Sequence, residues 1–196
     1  MSSESTAEII EATGRALCEH GYADLTMQRI ADESSVTSAA IHYHFETKEE
    51  LLNAFLDDLL DRFESRLACE ARDPRDRLND FLEAVFEDSS SNHDDFPVAL
   101  MDLKAQAPYH DLFRDRFVEL DNVVRNVVET ATRDGIEDGH FDDADPDEVA
   151  RLVATMINGA HVRSVALDER TDRTRETIEQ TLALHLGWTP GSEVAA

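Results

Sequence analysis

Lysine is nearly absent: Lys48 and Lys104 stand against 16 arginines in 196 residues. Cysteine is as scarce. Cys18 and Cys69 are too few and too far apart for a C-x-x-C site or a disulfide framework, and are expected as small buried residues. No apolar run approaches the ~18 residues of a membrane span. The opening MSSESTAEII lacks the basic start and apolar centre of a secretory signal. No alternating β-branched run reads as a strand. There is no Gly-rich phosphate loop, no metal-ligand spacing and no nucleophile–base–orienter set. Neither an enzyme nor a cofactor is expected. A cytoplasmic protein with no membrane partner remains.

What is present is acid. Asp and Glu number 43 against 18 bases, a formal charge of -25. Such a charge ordinarily argues against a nucleic-acid partner, because the phosphate backbone repels it. Strong salt changes that argument. At 1 M the screening length falls to ~3 Å, so self-repulsion costs little. The acid excess and the replacement of Lys by Arg resemble halophilic proteomes. At 41% apolar content the chain has enough material for a core, and its length allows one large or two small domains.

The apolar spacing is helical nearly throughout and predicts an all-α fold of about nine helices. Ser5-x-x-Glu8 reads as a capping box opening the first, and Gly21 as its left-handed terminator. Thr26 and Thr37 read as N-caps of two short helices, joined across Ser34-Ser35-Val36. Thr47-x-x-Glu50 opens a long stripe from Leu51 to Leu67. Asp73-Pro74 and Asp145-Pro146-x-Glu148 read as further helix starts. Ser89–Asp95 is expected as a loop, with Pro97 opening a short helix after it. Gly135 and Gly139 are expected to close the helix that carries Phe113, Phe117, Val124 and Val128. A last helix runs from about Asp172 to Gly187, and Thr189 to Ala196 is expected to fray.

A helix, a glycine, then two short helices across a tight turn is the layout of a helix-turn-helix, whose second short helix enters a DNA major groove. Residues 34–45, SSVTSAAIHYHF, contain no acid. The surface facing phosphate is thus cleared of negative charge. Thr37, Ser38, Ala39 and Ala40 are small enough for close approach to base edges. His42, Tyr43 and His44 offer donors to phosphates or bases.

These residues resemble the N-terminal domain of the TetR family of transcriptional repressors. The likeness lies at Gly21-Tyr22, Thr26, Ile30-Ala31, Val36-Thr37, Tyr43-His44-Phe45 and Thr47-Lys48-Glu49-Glu50-Leu51. It implies a helix-turn-helix domain over 1–46 and a helical effector-binding and dimerisation domain over 47–196. It implies that Thr26 touches phosphate and that Thr37 and Ser38 start the recognition helix. His42 would face the groove, and Tyr43, His44 and Lys48 would clamp phosphates. Family members often carry Lys or Arg where this chain has Ser38, Gly at Ala39, Thr at Ala40 and Tyr at His42.

The implied function is a homodimeric repressor on a palindromic double-stranded DNA operator, released by a small-molecule effector. One recognition helix reads only a few base pairs, so two copies are needed. The last two helices are the expected dimer surface. Met101, Tyr109, Phe113, Phe117, Met156, Asn158 and His161 are the candidate effector-lining residues. Plain core remains the alternative for the Phe and Met side chains, and satisfied core polar groups for Asn158 and His161. His42 and His44 do not share a helix face, which disfavours a metal pair. The Asp142, Asp143, Asp145, Asp147 cluster lacks EF-hand spacing and reads as a helix start. A TetR-like protein acting through protein contacts, without DNA, is the other reading.

Overall fold

The computed structural model describes residues 2–67, 73–86 and 96–188. The expected Ser89–Asp95 loop, Cys69 and the Thr189–Ala196 tail fall outside them. The described residues form helices only. In chain order they are α1 (Ser2–Asp24), α2 (Met27–Asp32), α3 (Ser38–His44), α4 (Lys48–Leu67), α5 (Pro74–Phe86), α6 (Phe96–Gln106), α7 (Asp111–Glu137), α8 (Pro146–Leu167) and α9 (Thr171–Leu186). The fold is all-α, as the periodicity predicts. The chain groups into two compact units, residues 1–62 with 89–119 and residues 63–88 with 120–196.

In the first unit the helix-turn-helix does not own its core. α2 and α3 have six and seven residues, too short to persist alone, so packing must hold them. Ile30 and Ile41 are fully buried, against Ile9, Ala12, Ala16 and Leu17 of α1 and Leu51, Leu52 and Phe55 of α4. Ala99 and Leu103 of α6, and Phe113 of α7, belong to the same core. The compact unit therefore extends beyond residue 46, because the apolar faces of α4 and α6 complete the burial begun by α1.

One expectation for α1 is corrected. The helix starts at Ser2, three residues before the supposed cap at Ser5. The Glu8 carboxylate accepts from the Ser35 backbone N–H, at 2.8 Å. Gly21 has positive φ as expected, yet its φ of 69° and ψ of 168° lie outside the left-handed helical region. That combination is essentially confined to glycine. It breaks the helix at the expected place, and a short further helical segment runs on to Asp24.

The second unit buries Leu78, Phe81 and Leu82 of α5, Val124, Val128 and Ala131 of α7, Val149, Ala150 and Val153 of α8, and Ile178, Leu182 and Leu186 of α9. Asp73 caps α5, accepting from Arg75 N–H at 2.9 Å. Asp145 caps α8, accepting from the N–H groups of Asp147 and Glu148. Gly187 (φ 63°, ψ 11°) stops α9 in the left-handed conformation. Gly135 does not close α7. The helix runs through it to Glu137, and a Cβ at Gly135 would overlap the Phe141 ring. Close packing, not termination, requires glycine there.

Candidate nucleic-acid interface

Both short helices are capped by threonine, as predicted. Thr26 Oγ1 accepts from Arg29 N–H and Thr37 Oγ1 from Ala40 N–H, each at 3.2 Å. Both threonines are exposed, so the capping oxygens stand at the surface with the first N–H groups of each helix. Such ends carry partial positive charge, which gives the starts of α2 and α3 a polarity that favours anions without a basic side chain.

The turn between them is tied on every side. Glu33 N–H and Ser34 N–H close back on α2. Val36 N–H donates to Ser34 Oγ at 3.2 Å. α1 then grips the turn twice. Glu8 takes the Ser35 N–H, and Arg15 Nη2 donates to the Glu33 carbonyl at 2.6 Å. Hydrogen bonds from the Ser35 hydroxyl and backbone hold the Glu8 carboxyl below its ordinary value. α3 is thereby fixed in angle before it meets any partner.

On α3 itself Ile41 is buried, and Ala39, His42 and Tyr43 are exposed. Ser38 and His44 are half-buried. Tyr43 is 87% exposed, an unusual position for an aromatic side chain, and stands edge-on to the His44 ring at 5.4 Å. Thr37, Ala39, His42 and Tyr43 thus share the solvent side of one short helix.

Lys48 stands apart from them. Its Nζ donates to the Tyr22 carbonyl at 3.2 Å and lies 4.3 Å from the Tyr22 ring centroid, a cation–π contact at the end of α1. Arg15 is occupied by Glu33. Arg29 Nη1 donates to the Asp24 carbonyl at 2.5 Å, with the Asp24 carboxylate 4.0 Å away. Each base among residues 1–48 therefore has an internal partner. The sequence reading missed this use of Arg15 and Lys48, and the roles of Glu8 and Tyr22. These contacts join residues 18 to 27 positions apart, and no local pattern encodes them.

The candidate effector residues divide between the units. In the first, Phe113 is fully buried in the core and Phe117 packs beside it, while Met101 is half-buried and Tyr109 is 80% exposed. In the second, Met156 packs at the core edge, Asn158 is exposed, and His161 is half-buried. Asn158 donates to the Ala154 carbonyl at 3.1 Å.

Two family models match the chain. Residues 9–55 match the bacterial regulatory proteins of the tetR family, and residues 74–187 match the BetI-type transcriptional repressor C-terminal domain. A TetR transcription regulator from Haloarcula marismortui is 43% identical, with a TM-score of 0.89 over 94% of this chain and 99% of that one. A putative regulator from Saccharomonospora viridis, solved with choline, is 22% identical at a TM-score of 0.84 over 94% and 98% of the two chains, which bears on fold alone. Among characterised relatives, the repressor KstR2 of Mycobacterium tuberculosis is 29% identical over 74% of each chain. TtgR of Pseudomonas putida is 46% identical over 56 residues, where the match spans 27% of that protein and 29% of this one. The short stretch of strong identity and the full-length structural likeness point the same way, and the chain belongs to the TetR family of bacterial regulatory proteins.

Proposed function

We propose that this protein is a transcriptional repressor that binds a palindromic DNA operator as a homodimer and leaves it when a small molecule binds. The observation that carries the reading is the capped, acid-free α3, whose exposed side is Thr37, Ala39, His42 and Tyr43. Residues 1–46 act as the DNA-binding domain and residues 47–196 as the effector and dimerisation domain. Ser38 and His42 contact base edges. Thr26, Thr37, Tyr43, His44 and Lys48 contact phosphates. The protein works in the cytoplasm.

The dimer surface is assigned to α8 and α9. Leu152, Thr155, Gly159, Val162 and Ala166 recur at three- and four-residue spacing along α8, and all are exposed or half-buried. A Cβ on Gly159 would meet nothing within 4 Å among the described residues. A mid-helix glycine costs about 1 kcal/mol against alanine, and among the described residues no neighbour accounts for it. Close passage of a second copy's helix does. Leu167 and Leu184 add apolar area at 61% and 87% exposure. A stable interface needs about 1,000 Å² in total.

The effector reading keeps Met101, Tyr109, Phe113 and Phe117 in the first unit and Met156, Asn158 and His161 in the second. A gel shift against the DNA upstream of the protein's own gene, in molar potassium salt, tests the whole reading. A shift that a palindromic fragment competes away supports it. Absence of binding to that DNA and to a random-sequence library favours the second reading, in which the fold acts through protein contacts. That reading draws on one observation: Arg15, Arg29 and Lys48 already have internal partners.

A further inference from the structure

Tyr22 lies at the end of α1, and four other segments of the first unit reach it. Its hydroxyl is 3.1 Å from His110 Nε2, in the turn between α6 and α7. Its backbone N–H donates to Asp102 Oδ2 of α6 at 3.3 Å. Its carbonyl and ring hold the Lys48 ammonium at the first turn of α4. Its ring stands edge-on to Phe113 of α7 at 6.5 Å. Gly21 makes the arrangement possible. Its backbone conformation is open only to glycine, and a Cβ there would sit 3.0 Å from the same Asp102 oxygen.

The α6–α7 turn is closed on itself. Tyr109 N–H and His110 N–H both donate to the Gln106 carbonyl, at 2.8 and 3.1 Å. Arg114 N–H donates to the His110 carbonyl and Arg114 Nη2 to the Pro108 carbonyl, both at 3.1 Å. The His110 ring also lies on Phe113, with centroids 5.0 Å apart. A shift of the first turn of α7 therefore carries His110 with it. A half-buried phenol that loses its hydrogen-bond partner is disfavoured, so Tyr22 follows or reorients. Lys48, which uses the Tyr22 ring and carbonyl as its platform, is moved in turn.

We propose that Tyr22 is a positioning residue for DNA binding: through His110 on one side and Lys48 on the other, it makes the location of the α6–α7 turn and that of the first turn of α4 interdependent. The idea rests on the DNA-binding reading. It assigns Tyr22, His110 and Asp102 a part in setting where Lys48 stands, with no contact of their own to DNA.

The test uses full-length protein and the variants Tyr22→Phe, His110→Phe and Lys48→Met. Tyr22→Phe keeps the ring, the Phe113 contact and the Lys48 platform while removing the hydroxyl. His110→Phe keeps a ring against Phe113. Each is expected to weaken operator binding by about two- to tenfold, the range of one net hydrogen bond. The double variant should bind no worse than either single one. His110→Phe should cost less in the Lys48→Met background than in the wild type, although residues 48 and 110 lie on different elements. A purely structural role for His110 predicts equal cost in both backgrounds. Hydrogen exchange supplies a readout free of DNA. In His110→Phe the amides from Glu50 to Asn53 should lose protection while those of Ile30 and Ile41 keep theirs. Additive losses, background-independent cost or unchanged exchange at 50–53 each overturn the proposal. If the wild type binds no DNA, the DNA-binding reading fails and the exchange arm alone decides the linkage. If His110→Phe does not fold, Tyr22→Phe replaces it in both arms.

Discussion

Salt is the perturbation that separates this interface from an ordinary DNA-binding surface. Binding to duplex DNA normally releases counterions, with log affinity falling by about 0.9 per neutralised phosphate for each unit of log salt. Proteins making six to ten such contacts lose about 10³–10⁵ in affinity between 50 and 200 mM. Here residues 1–48 hold three bases, Arg15, Arg29 and Lys48. Arg15 is committed to Glu33, and Arg29 to Asp24. Lys48 is held by a neutral carbonyl and a ring, so its charge remains available to phosphate. One cation per protomer, two per dimer, gives a limiting slope of about -1.8 and a loss of about tenfold over that range.

Acid pushes the slope the other way. The same residues hold eight acids: Glu4, Glu8, Glu11, Glu19, Asp24, Asp32, Glu33 and Glu46. Carboxylates brought near phosphate take up cations, which favours binding as salt rises. The expected result is affinity that is flat or rises from dilute to molar potassium chloride. The assay is a fluorescence anisotropy titration at each salt, on protein whose helical circular dichroism is unchanged across the range. A slope steeper than about -4 would refute the reasoning. It would require a basic phosphate-binding surface from parts of the chain not assigned to DNA here.

Lys48→Ala should weaken binding to all sequences about equally, whereas Ser38 and His42 substitutions should change base preference in a binding-site selection, because phosphate contacts position and base contacts specify. Gly159→Ala should stabilise the isolated protomer by up to about 1 kcal/mol and weaken the dimer in sedimentation equilibrium, and stabilisation with unchanged dimer affinity would remove α8 from the interface. Ile41→Ala should cost about 2–5 kcal/mol in denaturant unfolding, since the side chain is fully buried between the short helices and α1. The side-chain hydrogen bonds from Arg75 lower the Asp73 carboxyl from 3.8 to about 2. A lowered carboxylate contributes stability that is complete above its unfolded value and lost as pH falls through the folded one, so the advantage of wild type over Asp73→Ala, about 1 kcal/mol at pH 7, should shrink between pH 4 and 2.

Much of the helix-turn-helix was legible because its signals are local. Thr26 and Thr37 cap helices that begin one residue later, and the caps need only the next three positions to be recognised. The same holds for Asp145-Pro146 and for Gly187 at the ends of α8 and α9. Failures came where a local motif had a competing distant partner. Ser5-x-x-Glu8 satisfies the capping-box pattern, yet Glu8 is drawn 27 residues along the chain to Ser35. Gly135 looks like a terminator and is instead the flat place against which Phe141 lies.

Charge was the least legible quantity. The sequence allows bases to be counted, and counting suggests three groups available to phosphate. Availability depends on what each base already touches, which is a property of tertiary structure. Arg15 reaches the α2–α3 turn because α1 passes beside it, and Lys48 reaches Tyr22 because Gly21 bends the chain between two turns of α1. The contacts that Arg15 and Lys48 make are also the ones that fix the angle of α3 and the start of α4. On the proposed DNA-binding reading, Arg15 holds α3 in place, Lys48 keeps its charge for phosphate, and the remaining phosphate contacts fall to the N–H groups and hydroxyls at Thr26 and Thr37. On that reading, recognition depends on geometry more than on charge, and it should survive ionic strengths that dissociate a lysine-rich interface.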